Sequence, residues 1–138
     1  MSVEEQSAVV NEWIEAWNKQ DLAAARELLT HDYVRHDANL PEVSGRHNAV
    51  DFVSSVWSSF PDLHLDLEQS IVQDQNVAVR LTVRGTHQGP FLGIPATGRH
   101  IRVEVIETYR LTGGRIAEQW VILNLMGLMQ QLGVLPDS

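Results

Sequence analysis

The sequence predicts an α+β fold: N-terminal helices packed on an antiparallel sheet, which by curving around them could enclose a hydrophobic pocket. Three observations carry this expectation. Apolar residues recur at helical spacing as far as Phe60. From Leu63 onward the period drops to two, the mark of half-buried strands. The strand patterns then follow one another through turns and one long loop with no helix between them, which is an α+β order and not βαβ.

Val9, Val10, Trp13, Ile14 and Trp17 form the stripe of a first amphipathic helix that ends near Asn18. Asp21 stands where an N-cap belongs, and LAAARELL reads as a second helix with Leu22, Ala25, Leu28 and Leu29 on one face. YVRHDANLP is expected to be a short extended piece ending in a proline loop. After Ser44 and Gly45 comes a third helical pattern, with Val50, Phe52, Val53, Val56 and Trp57, stopped by Pro61. Leu63, Leu65 and Leu67 then alternate with His64, Asp66 and Glu68. Across the turn Asp74-Gln75-Asn76, the next strand places Val77, Val79, Leu81 and Val83 on one face. The Gly- and Pro-rich loop QGPFLGIPATGR leads to a third strand with Ile101, Val103, Val105, Tyr109 and Leu111 on its apolar side. Thr112-Gly113-Gly114 turns into a fourth strand, RIAEQWVIL, and LMGLMQQL closes the chain as a short helix. The fourth strand is apolar at both parities, so its outer face is expected to meet a partner subunit.

A chain of 138 residues with 43% hydrophobic content suits one domain spanning 1–138. A net charge of −8 and a pI near 5.1 argue against nucleic acid or an anionic membrane surface as partner. Without cysteine there are no disulfides or thiolate metal sites, a composition compatible with the cytoplasm. The acidic opening MSVEEQSAVV does not read as a signal peptide, and no apolar run reaches the roughly 20 residues of a membrane span. The histidines show no metal-ligand spacing, no glycine-rich loop opens a helix, and no GxSxG elbow is present. Neither a metal nor a cofactor is expected.

Odd-numbered positions make the apolar face of the first three strands, and two residues on that parity are polar: Glu107, in the third strand, and His87, at the end of the second. A carboxyl on a core-facing position is costly when charged, so burial raises its pKa toward the range of a general acid or base. The same position also suits a bulge that turns Glu107 outward, or a buried pair with an arginine. His87 could share a proton with Glu107 or merely cap a strand end. His36 could overhang the pocket mouth or lie solvated in its loop. Arg80 and Arg84 share a face with the acids of the first strand, so cross-strand ion pairs are expected there.

The stretch GTHQGPFLGIPATGRHIRVEVIETYRLTGGRIAEQW followed by LMGLMQQLGVLP resembles the SnoaL-like polyketide cyclase family, within the nuclear transport factor 2-like superfamily. AWNKQDLAAARELLTHDYVRH and SGRHNAVDFV fit the same pattern, so the likeness covers nearly the whole chain. The resemblance implies a cone-shaped fold, a homodimer or tetramer formed through the sheet, and cofactor-free acid/base chemistry on a small hydrophobic carbonyl compound. It places the family's acid/base aspartate at Val121, a second acid at Asn124 and an assisting histidine at Glu107. Val121 cannot move a proton, and Asn124 can hydrogen-bond a carbonyl but cannot titrate. Glu107 and His87 are thus the expected catalytic pair. Asn124, His36, Trp120, Val121, Val105, Trp17 and Phe91 are the expected ligand contacts. Two other functions stay open: a binding protein that has lost the family's catalytic acid, and an epoxide-opening hydrolase. The latter usually needs an Asp-Arg-Asp set that Arg80 and Arg84, on the wrong parity, do not supply.

Overall fold

The computed structural model describes residues 1–135. Helix α1 (Val3–Lys19) starts at a reciprocal cap: Ser2 Oγ accepts the Glu5 N–H at 3.0 Å and Glu5 Oε1 accepts the Ser2 N–H at 3.1 Å. Its buried stripe runs through Val9, Val10, Trp13, Ile14 and Trp17. Asp21 caps α2 (Leu22–Glu27), accepting the Ala24 N–H at 3.0 Å. The second helix is shorter than its pattern suggests. Leu29 leaves it to open strand β1 (Leu29–Asp37), where it pairs with Ile116 and is fully buried. Strand β2 (Val43–Ser44) precedes α3 (Arg46–Ser59), which stops ahead of Pro61.

Then come β3 (His64–Gln73), β4 (Asn76–Thr86), β5 (His100–Thr112), β6 (Arg115–Leu123) and α4 (Leu125–Gln131). The six strands lie in the order β2-β1-β6-β5-β4-β3, in a curved sheet that does not close on itself. The α+β class and the N-terminal helices on a curved sheet are as the sequence implies. What periodicity did not reveal is that YVRHD is a full member of the sheet. It pairs parallel to β6, with Arg35 opposite Gln119 and Asp37 opposite Val121. Leu67 keeps its register opposite Leu81 yet is exposed on the edge strand, while Leu63 and Leu65 are buried; the alternation breaks only after it, at a bulge between Leu67 and Gln69.

The core fills the space between α1, α3 and the concave sheet face. Trp13, Trp17 and Trp57 meet edge to face there, with centroids 6.0 and 5.8 Å apart. The loop between β4 and β5 is tied over one end of this space. Ser59 O accepts the N–H groups of Gln88 and Gly89, and Ser59 Oγ donates to Pro90 O at 2.6 Å. Gly89 comes so close to α3 that a Cβ there would stand 2.3 Å from the Ser58 carbonyl oxygen. Only glycine permits that approach.

Candidate active site

A cavity of about 110 Å³ opens between α1, α3, α4 and the sheet. Its walls are apolar: Trp13 and Trp17 from α1, Phe52 and Val56 from α3, Phe91 from the roof loop, Val105 and Val121 from the sheet. Three polar side chains reach it, namely Glu107, Gln119 and Arg35.

Glu107 is buried, and no bulge turns it outward. It lies directly across from Val121 in the β5–β6 ladder. Tyr109, two residues on and hence on the same face, donates its phenol to Glu107 Oε1. Tyr33 donates its hydroxyl to Gln119 Oε1 at 2.5 Å, which leaves the Gln119 amide group to hydrogen-bond the Glu107 carboxyl. Burial pushes the Glu107 carboxyl above the ordinary carboxylate range. The Tyr109 and Gln119 hydrogen bonds and the positive charge of Arg35 act against that push. Burial also raises both phenols, Tyr109 further because of the acid beside it. The floor thus holds an acid that burial biases toward its protonated form, with phenols that stay protonated.

Arg35, Asp37, Gln119, Tyr33 and Tyr109 were not singled out from the sequence. Arg35 Nη1 donates to Asp37 Oδ2 at 3.1 Å, and the guanidinium carbon lies 4.4 Å from the centre of the Phe52 ring. The Asp37 carboxylate has no exposed surface. Gln119 shares the inward parity of Glu107 and Val121, a signal available in the strand pattern. Arg35 and Asp37 face inward only because β1 joins β6. Arg80 and Arg84 lie outside as expected, and Arg84 pairs with Asp66 at 2.7 Å.

Of the expected ligand contacts, Trp17, Val105, Val121 and Phe91 line the cavity. The others do not, and His87 and Glu107 are not brought together. His87 lies eight residues past Val79, the β4 residue opposite Glu107, which is about 25 Å along a strand. Its ring is fully buried, packed on Phe60 at 5.4 Å, and its Nδ1 accepts the Thr97 N–H at 3.2 Å. It pins the roof loop instead of serving the acid. His36 and Trp120 occupy even positions and therefore the outer sheet face, where they stack at 5.4 Å. His36 Nε2 meets Glu118 Oε2 at 2.6 Å.

Asn124 is exposed and caps α4, its Oδ1 accepting the Gly127 N–H at 3.0 Å. The lone amide between strand and helix is a helix start. Asn124→Ala is expected to cost about 1 kcal/mol in urea unfolding and to leave activity per folded molecule unchanged.

The fold and floor define a class: small open-sheet α+β proteins with an apolar pocket whose lining carries one acid. The SnoaL-like polyketide cyclase family matches residues 7–132, and the chain belongs to that family. Aklanonic acid methyl ester cyclase DauD of Streptomyces sp. (strain C5) is 28% identical over 131 residues, covering 91% of this chain and 80% of that one. Among solved structures, AclR, described as a putative hydroxylase from Streptomyces galilaeus, superposes with a TM-score of 0.88. It is 33% identical, with 99% of this chain and 86% of that chain covered. A putative SnoaL-like polyketide cyclase from Jannaschia sp. CCS1 gives 0.89 at 25% identity, over 99% and 98%.

Proposed function

We propose that the protein is a cofactor-independent acid/base enzyme that moves a proton next to the carbonyl group of a small hydrophobic compound, in a cyclase-like aldol closure or an isomerisation. The observation that carries this reading is the Glu107 carboxyl on the cavity floor, buried among apolar walls and held by the Tyr109 phenol. Cross-strand partners stand about 5 Å apart. Glu107 is therefore one side-chain width from Val121, where the family resemblance places the usual aspartate. The acid has changed strand without leaving the pocket.

Incubation with a compact cyclic ketone such as 2-tetralone in D2O tests this directly. Deuterium should enter at the carbon beside the carbonyl faster than in buffer, as read by proton NMR. Exchange at the buffer rate, together with a raised melting temperature, would support a binding protein instead. Epoxide opening ranks behind both readings. It calls for two carboxylates on one water, and Asp37, though beside Arg35, is not part of the cavity wall.

The same reading includes a homodimer through the sheet. Ile106, Trp120 and Ile122 form an exposed apolar group on its outer face, with Ile122 64% accessible. Ile122→Glu is expected to shift sedimentation from dimer to monomer. A wild type that sediments as a monomer at high micromolar concentration would remove the dimer from the proposal.

A further inference from the structure

Among the residues lining the cavity, Arg35 is the one cation, and the reading above gives it nothing to do. Its side chain is only 12% exposed, so it is held where a charge is expensive unless it is paired and hydrogen-bonded. Two contacts fix it. Asp37 takes one N–H of the fork, and Asp37 is itself steadied by the Asn39 N–H on Oδ1 at 2.8 Å. The Phe52 ring covers one face of the guanidinium. A guanidinium carries five donors in a rigid fork. Among the described residues the contact with Asp37 is its one side-chain hydrogen bond, so the rest of the fork is uncommitted, and the residue borders the cavity.

Register sets the distance to the acid. Arg35 pairs with Gln119 and Glu107 pairs with Val121, so one strand, β6, separates the two. Two strand spacings across and two residues along put their backbones about 12 Å apart. That gap accommodates a carbonyl whose oxygen meets the fork while its neighbouring carbon meets the carboxyl.

We propose that Arg35 is a further catalytic residue, binding the ligand's carbonyl oxygen and stabilising the negative charge it acquires, with Asp37 as the positioning residue that aims the fork. This rests on the reading of Glu107 as the proton carrier. In the forward step the Glu107 carboxylate takes the proton from the carbon beside the carbonyl. The C–H electron pair forms the new C=C bond, and the carbonyl π pair moves to the oxygen held by Arg35. Return of the proton to carbon gives exchange or isomerisation. In an aldol closure the enolate carbon bonds to a second carbonyl carbon, whose oxygen receives the proton from Glu107. Atoms and charge balance in both steps. A donor aimed at developing charge inside a dry site needs little reorganisation, which is why a pinned guanidinium suits the task better than a mobile lysine.

4-Nitrophenol is the test ligand: it is one ring in size, its oxygen carries a resonance-shared negative charge like that of an enolate, and its absorbance reports ionisation. Bound to the wild type, it should ionise about one pH unit lower than free in buffer, a tenfold preference for the phenolate. The uncharged analogue 4-nitroanisole gives apolar binding alone. In Arg35→Met the shift should vanish while 4-nitroanisole binds within twofold of wild type. Arg35→Met/Asp37→Leu, which leaves no unpaired buried charge, should behave in the same way and guards against misfolding of the single variant. Glu107→Gln should keep the shift even though it stops deuterium exchange. Failure of the Glu107 reading is thereby separable from failure of this one. A nitrophenol that does not bind, that titrates as it does in buffer, or that keeps its shift in the double variant overturns the role of Arg35.

Discussion

Glu107→Gln is expected to lower the rate of proton exchange by about 10²–10⁴-fold, the usual worth of a positioned acid/base group, while ligand binding survives. Gln is isosteric and can still receive the Tyr109 phenol, so the pocket keeps its shape. The pH profile carries a second signature. Burial holds the Glu107 carboxyl above its ordinary value of 4.5, so the wild-type rate should rise with pH through a midpoint above that value. Stability should move the other way. The native state keeps a proton that the unfolded chain has already released, so the folded form binds more protons there. Its stability is then present below about pH 4.5 and falls as pH rises through the raised pKa. The variant has no such carboxyl. Its melting temperature should therefore gain on the wild type as pH increases from 4 to 8. Full exchange activity in Glu107→Gln would end the catalytic reading.

Asp37→Ala is expected to cost about 3 kcal/mol of stability, the low end for breaking a buried ion pair. The low end applies because the Arg35 guanidinium borders the cavity and keeps a little contact with solvent. Urea unfolding of the variant beside Arg35→Met/Asp37→Leu separates two effects. The single change strands a cation, whereas the double change replaces the pair with apolar volume and should come close to wild type. Equal losses in both would locate the cost in packing and not in charge.

How far the chain could be read depends on which contacts a pattern encodes. Glu107 was legible because an acid on the apolar parity of a strand conflicts with burial; Val105 shares that strand face, Trp17 belongs to the first helix's stripe, and Val121 came from the family resemblance. Trp120 was misplaced although the alternation that points Glu107 inward points residue 120 outward. Asn124 was read for its chemistry, while its place before LMGLMQQ is that of an N-cap. Gln119 went unremarked because an uncharged amide raises no such conflict. Arg35 and Asp37 were beyond local reading. In isolation YVRHD is a short polar piece, and only its pairing with β6 decides which of its side chains look inward. Periodicity describes neighbours in sequence, and this pairing joins residues far apart in the chain.

The parallel seam between β1 and β6 also has a temporal consequence. Forming it closes a chain loop that runs through every other strand of the sheet. Such distant pairings form slowly, because the entropy of closure must be surrendered before any contact rewards it. The guanidinium enters the pocket from one side of that seam and the carboxyl belongs to the hairpin on the other. A nascent or partly folded chain can therefore own a greasy hollow before it owns a reactive one.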